Sequence, residues 1–156
     1  MTNNQLTIKE KDIRKQGELD HITHFSSGIA VVKEGKVLII RREPNDFLGG
    51  NYELPGGGIE ENETFLEGIT RELEEETGLQ IKEVVNLFEG FDYSTEIKGN
   101  VRQINFLVRT DTYNVTLSHE HDAFLWIGID ELQNIPMTEK MKICLQKTIN
   151  MGITMK

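Results

Sequence analysis

The sequence contains a single cysteine and no long run of apolar residues. The lone thiol, Cys144, excludes an intramolecular disulfide, which fits a reducing compartment. No apolar stretch reaches the length of a membrane-spanning helix, and the polar first residues lack the apolar core of a signal peptide. The sequence therefore predicts a cytoplasmic protein without a membrane partner, in which Cys144 is a small buried residue of an amphipathic helix.

Positive charge is also scarce, since 17 lysines and arginines face 26 acidic residues and the formal net charge is −9. Such a balance is poorly suited to binding the phosphate backbone of DNA or an anionic membrane. A polyanionic substrate would need a bound metal ion as its counter-charge. The length of 156 residues suits one domain with an ordinary core. The composition therefore predicts no DNA partner and favours a small-molecule substrate.

One segment places acidic residues where a helix disfavours them. Residues 57–79 read GGIEENETFLEGITRELEEETGL, and the glutamates crowd the turns before Gly78. A helix dipole favours cations at that end, and Glu72 and Glu76 also repel each other across one turn. At about 100° per residue, Glu72, Glu75 and Glu76 share one face of the helix. A divalent cation is the natural compensation for this arrangement.

Local patterns predict the elements around this segment. Thr64 and Glu67 form a capping box that begins a helix, and Gly78 ends it. Alternating and apolar stretches predict a hairpin of strands over 28–32 and 37–40, strands over 52–54, 81–88, 102–109 and 124–129, and a last helix over 138–150. The polar residues 1–22 are predicted to form a tail or an extra strand, and residues 23–156 the folded domain.

At residues 57–79 the sequence resembles the Nudix hydrolase family. The family signature is G-x5-E-x7-R-E-U-x-E-E-x-G-U, where U is a bulky aliphatic residue, and every fixed position is matched. The matching residues are Gly57, Glu63, Arg71, Glu72, Leu73, Glu75, Glu76, Gly78 and Leu79. The resemblance implies the Nudix fold, an α/β/α sandwich with a mixed β-sheet between α-helices. It also implies Mg²⁺-dependent or Mn²⁺-dependent cleavage of a nucleoside diphosphate linked to another group.

The resemblance further implies the metal ligands. Glu72 and Glu76 would bind the metal, and Glu75 would be either a third ligand or part of the base system. A backbone carbonyl near the start of the signature, at Gly56 or Gly57, would also bind metal. This fits the chemistry of Mg²⁺, which takes one or two carboxylates together with waters and substrate phosphates.

Arg71 and Glu63 are expected to support those ligands. In the family this arginine orients the glutamates together with Glu63, although Arg71 could also form a plain surface ion pair with Glu75. Glu120 resembles a further acidic residue of the family that approaches the metals, and it would be an additional ligand or a base. It lies in a His-Glu-His run, but neighbouring histidines on a loop do not easily face one ion, which disfavours zinc.

Substrate contacts are expected outside the signature. Arg41 and Arg42 end the second hairpin strand, where they either grip substrate phosphates or are surface charges. Tyr52, near the glycine-rich turn, is a candidate for stacking on a base. Asp122 is a candidate for reading a purine edge.

The expected substrate is a nucleoside triphosphate or an oxidised nucleotide, cleaved to a monophosphate and pyrophosphate. ADP-ribose hydrolases of the family carry a proline shortly after the signature, where this chain has Ser94 and Thr95. One alternative is a nucleotide-sensing module without turnover, although such modules usually lose glutamates that this chain retains. Another is an RNA 5′-end pyrophosphohydrolase, which the net charge disfavours. A homodimer is left open.

Overall fold

A mixed sheet of seven strands forms the centre of the fold. The computed structural model describes residues 1–153, except for the side chains of residues 129, 152 and 153. The elements are α1 (Asn3–Leu19), β1 (His24–Lys33), β2 (Lys36–Arg42), β3 (Tyr52–Glu53), β4 (Gly58–Ile59), α2 (Phe65–Thr77), β5 (Ile81–Thr95), β6 (Gly99–Thr110), β7 (His121–Ile127), a 3₁₀ helix (Ile129–Asn134) and α3 (Glu139–Ile153). No helix within residues 1–153 is both long and apolar enough to span a membrane.

The strands follow the order β3-β2-β1-β6-β5, with β4 paired to β1 and β7 paired to β2. The β1–β6 pair is parallel and the other pairs are antiparallel. Successive side chains of β1 project to opposite faces. Ile29 therefore packs in the core cluster that includes Leu73 of α2, while Ala30 packs in the cluster that includes Leu145 of α3. This arrangement confirms the predicted α/β/α sandwich.

The predicted central helix is confirmed as α2, and both of its ends are capped. The Thr64 hydroxyl accepts the Glu67 N–H at 3.1 Å, and the Glu67 carboxylate accepts the Thr64 N–H at 2.9 Å. Gly78 ends the helix with φ +71°, and its N–H donates to the Glu74 carbonyl at 2.9 Å. Ile69 and Leu73 are fully buried and dock the helix on the sheet. Of the acidic residues in the last turns of α2, Glu74 and Glu75 are exposed, Glu72 is partly buried and Glu76 is buried.

The remaining strands and the last helix lie where the patterns predict them, with different lengths. The predicted strand over 81–88 is the first part of a longer β5, which pairs with β6 as far as Thr95. The pairing of β5 with β6 is irregular, which interrupts the alternation of side chains along β5. The predicted strand is shorter than β5 for this reason. Cys144 lies on α3 and is buried, as expected.

Residues 3–19 form a helix, which corrects the expectation of a tail or an extra strand. Thr2 and Gln5 form a capping box at its start, and Leu6 is buried in the core. Gly17 allows a close approach to the sheet, because a Cβ there would lie 2.7 Å from the Phe25 ring. The prediction was wrong because α1 buries few apolar residues, so it carries only a weak helical pattern of hydrophobicity.

Candidate active site and metal centre

The acidic side of α2 lines a cleft of about 600 Å³. The cleft also receives residues from the glycine-rich turn before β4 and from the loop that enters β7. Its lining residues are Arg42, Glu53, Gly56, Gly57, Glu72, Glu75, Glu76, Ser118, His119, Glu120 and His121. The structure thus brings together the three helix glutamates that the sequence singled out, and it adds Glu120 from a distant part of the chain.

Arg71 fixes the position of Glu72 through a dense set of hydrogen bonds. Its Nε and Nη2 each donate to one Glu63 carboxylate oxygen at 2.7 Å. Its Nη1 donates to Glu72 Oε1 at 2.9 Å, and its Nη2 donates to the Gly58 carbonyl at 3.1 Å. The hydrogen bonds from Arg71 lower the pKa of Glu63 to about 2. Arg71 is therefore held as a fixed cation between Glu63 and Glu72. Glu75 is largely exposed, and its Oε2 lies 3.7 Å from Arg71 Nη1.

Glu76 is the most buried carboxylate of the cleft, with 6% of its surface exposed. Its Oε1 accepts the Gly56 N–H at 2.7 Å. Burial raises the pKa of Glu76 to about 8, and the negative charges of Glu72, Glu53 and Glu120 act in the same direction. Burial also raises the pKa of Glu72, against the hydrogen bond from Arg71. The cleft therefore concentrates negative charge that its own cations do not balance.

Glu53 and His121 belong to the same cluster, although the sequence predicts neither of them as a site residue. His121 is buried, its Nε2 lies 3.0 Å from Glu53 Oε2, and its Nδ1 lies 3.6 Å from Glu76 Oε2. The Nδ1 atom has no hydrogen-bond partner among the residues that the structure describes. Arg42 donates to the other Glu53 oxygen at 2.9 Å. The sequence indicates a role for Glu53 only through its position beside the glycine-rich turn. That position does not identify His121 as its partner.

The residues present fit a divalent cation. Glu76, Glu120 and His121 each offer a ligand atom, and these atoms all lie within 4.8 Å of one another. The unpartnered His121 nitrogen is directed at this group. Carboxylate oxygens with at most one imidazole suit Mg²⁺ or Mn²⁺ better than a closed structural zinc site. The donor set therefore supports a divalent metal and leaves its identity open.

Gly57 contributes space to this cluster, which corrects the expectation that its carbonyl binds metal. The Gly57 oxygen accepts two hydrogen bonds from Ser27, from the backbone N–H at 2.8 Å and from the hydroxyl at 3.0 Å. Both of its lone pairs are therefore engaged inside the fold. A Cβ at Gly57 would instead lie 2.7 Å from the Glu72 carboxylate. Gly56 remains the alternative for a carbonyl ligand.

Arg41 and Asp122, the two further candidates for substrate contact, bind each other in this structure. Arg41 Nε and Nη2 donate to the two Asp122 oxygens at 2.7 and 3.1 Å. Arg42 and His121 line the acidic cleft, whereas neither Arg41 nor Asp122 does. Of the two arginines, Arg42 is the one placed at the site.

A second cavity, of about 390 Å³, adjoins the acidic cleft and shares Arg42 and Glu53 with it. Its further lining residues include the aromatic side chains of Phe47, Tyr52, Phe91 and Tyr93. The amide of Gln103 also lines the cavity and donates to Asn105 Oδ1 at 2.9 Å. Tyr52 therefore lines an aromatic cavity directly beside the acidic cleft.

We expect the metal-free protein to lose stability as the pH rises from about 5 to about 8. Folding raises the pKa of Glu76 from 4.5 to about 8, so the folded state holds a proton that the unfolded state releases. The stabilising contribution is complete below the unfolded pKa and is lost as the pH rises through the folded pKa. Thermal melts in EDTA across this range measure it. Glu76→Gln should flatten the decline, and an equally steep decline in that variant would contradict the assignment.

Comparison with known proteins gives a consistent result. Residues 23–147 match the family model of the NUDIX domain. The ADP-ribose pyrophosphatase of Methanocaldococcus jannaschii is 35% identical over 103 residues, which cover 65% of this chain and 59% of that protein. The CTP pyrophosphohydrolase of Escherichia coli is 26% identical over 109 residues, which cover 69% of this chain and 77% of that protein. A MutT NUDIX hydrolase structure from Burkholderia pseudomallei superposes with a TM-score of 0.67 at 25% identity and covers 79% of this chain and 95% of its own.

Proposed function

This chain belongs to the Nudix hydrolase family, and on that premise we propose that it cleaves a phosphoanhydride bond in a nucleoside diphosphate linked to another group. The proposed substrate is a nucleoside triphosphate or an oxidised nucleotide, and the products are a monophosphate and pyrophosphate. The observation that carries the proposal is the acidic cleft of α2, which opens directly beside an aromatic cavity. Such a pair of sites suits a ligand with one polyanionic and one aromatic end.

Glu72, Glu76 and Glu120, with His121 beside them, would hold Mg²⁺ or Mn²⁺ in this cleft. A bound divalent cation would neutralise the phosphoryl oxygens and lower the pKa of a coordinated water. Arg71 keeps Glu72 in place through the hydrogen bonds that it shares with Glu63. Of the lining carboxylates, Glu75 and Glu120 are exposed enough to accept a proton from the attacking water.

The aromatic cavity would hold the nucleoside. Tyr52 lines it and offers a face for stacking on a base. Arg42 lines both cavities, so its guanidinium would lie between the base and the reacting phosphates of such a ligand. In the free protein Glu53 and Asp46 accept hydrogen bonds from Arg42. A phosphate group would compete with these carboxylates for the same donors.

The reaction is tested with a panel of nucleotides in Mg²⁺, with pyrophosphate and orthophosphate measured separately. In oxygen-18 water we expect label in one product of the pair monophosphate and pyrophosphate, because water attacks a single phosphorus atom. Orthophosphate as the first product would contradict the assignment. Nucleotide binding without turnover would favour a sensing module, and turnover only on triphosphorylated RNA would favour an RNA 5′-end pyrophosphohydrolase.

A further inference from the structure

The helix α1 lies outside the matched domain, yet two of its side chains contact the loop that begins the catalytic helix. We propose that α1 positions the metal site: Glu10 and Arg14 hold residues 63–65, and through them Arg71 and Glu72. The proposal rests on the proposed function only in the experiments that measure turnover. Metal binding tests it independently.

Glu10 acts as an additional cap on α2. The first N–H groups of a helix have no partner within the helix, and a negative charge there also complements the helix dipole. Thr64 and Glu67 satisfy two of the N–H groups at this end of α2. Glu10 Oε1 accepts a third, the N–H of Phe65, at 2.7 Å. The N-terminus of the catalytic helix is thus fixed by a side chain from a separate helix.

Arg14 extends this contact to the residue before the cap. Its Nε donates to Glu10 Oε2 at 2.9 Å, and its Nη2 donates to the Glu63 carbonyl at 2.9 Å. Its guanidinium carbon also lies 4.8 Å from the centre of the Phe65 ring. A planar guanidinium can make these contacts at once, which a lysine ammonium cannot reproduce. Glu10 and Arg14 therefore form one clamp on the backbone of residues 63–65.

The clamped residue is the one that orients Arg71. The Glu63 backbone is held by Arg14, and its carboxylate accepts two hydrogen bonds from Arg71. Arg71 in turn donates to Glu72, whose carboxylate lies beside Gly57. A shift of Glu63 would therefore be passed to the metal ligand Glu72. Glu10 and Arg14 are positioning residues in this scheme and touch neither metal nor substrate.

The direct test measures Mn²⁺ binding to the full chain by electron paramagnetic resonance. Residues that orient metal ligands typically contribute about 10- to 100-fold to affinity or activity, so we expect Arg14→Ala to weaken Mn²⁺ binding about tenfold. The value of kcat should fall by a similar factor while KM for the nucleotide stays within about twofold. Glu10→Gln retains an acceptor for the Phe65 N–H and should keep most of the affinity. Lys15→Ala, exposed on the same helix, is the matched control and should behave as wild type.

A double-mutant cycle separates positioning from general loosening of the fold. If Arg14 acts through Glu63 and Arg71, Arg14→Ala should change Mn²⁺ affinity little in an Arg71→Ala background. Fully additive losses, or wild-type Mn²⁺ affinity in folded Arg14→Ala, would overturn the proposal. Arg14→Lys gives the same readout if the alanine variant does not fold. If Arg14→Ala weakens Mn²⁺ binding as expected but the wild-type protein cleaves no nucleotide, the proposed function would be overturned and the proposal for the clamp would stand.

Discussion

Glu76→Gln is expected to lower turnover at least about a hundredfold, the size of a lost electrostatic contribution to catalysis. Glu76 is the buried carboxylate of the candidate ligand group, and an amide in its place removes the charge while it preserves the shape. Steady-state rates in Mg²⁺ measure the loss. Glu74→Gln, the same change on the exposed side of the same helix, is the control and should retain wild-type turnover.

The same variant should separate metal binding from folding. In EDTA above about pH 8, where Glu76 is ionised in the folded state, Glu76→Gln is expected to melt at or above the wild-type temperature, because the change removes a buried charge that Glu72, Glu53 and Glu120 repel. The amide oxygen can still accept the Gly56 N–H. Wild type should gain about 2.7 kcal/mol from Mg²⁺ at 100 times its dissociation constant, and the variant should gain less. Equal Mg²⁺-induced shifts with retained turnover would mean that this cluster does not bind the metal.

Gly57→Ala is expected to lower turnover to a similar degree while the protein stays folded. The new methyl group would lie 2.7 Å from the Glu72 carboxylate, so Glu72 must leave the position in which Arg71 holds it. Gly57 has no positive φ, so alanine is compatible with its backbone. Turnover in Mg²⁺ and melting in EDTA measure the two effects. Wild-type turnover of a folded Gly57→Ala protein would show that Glu72 does not need this position.

Gly56→Ala is the matched contrast one residue earlier. Gly56 has φ +152°, and a Cβ there would lie 2.0 Å from the Ser27 carbonyl oxygen. The clash is with backbone, which cannot yield in the way that a side chain does, and we expect about 1–3 kcal/mol of lost stability from overpacking alone. Melting in EDTA should therefore fall clearly for Gly56→Ala and little for Gly57→Ala. Comparable losses in both variants would indicate that Gly57 is needed for the fold and not for the site.

The most predictable part of this protein is α2 with its caps. Thr64, Glu67 and Gly78 act on backbone groups within a few residues, so their effect can be read from spacing alone. The shared face of Glu72, Glu75 and Glu76 follows from the same helical geometry. The fixed spacing of the signature also indicated the family before any contact was known.

The errors concern residues whose surroundings come from distant parts of the chain. Arg41 and Arg42 are adjacent in sequence and carry the same expectation, but the pleat of β2 sends only Arg42 to the cleft. The helix α1 was missed because much of its attachment consists of polar contacts with residues 63–65. A hydrophobic pattern cannot record such contacts.

The sequence by itself determined the helix α2, its caps and the shared face of its glutamates, because helical periodicity and capping depend on residues close together in the chain. Only the tertiary structure decided that Glu53 and His121 meet Glu76. Glu53 and His121 lie 68 positions apart in the sequence, and the pairing of β2 with both β3 and β7 brings them together. Only the tertiary structure also showed the Gly57 carbonyl turned towards Ser27 and Glu10 capping α2. Strand pairing and helix docking depend on the packing of the whole chain, and no local spacing encodes them.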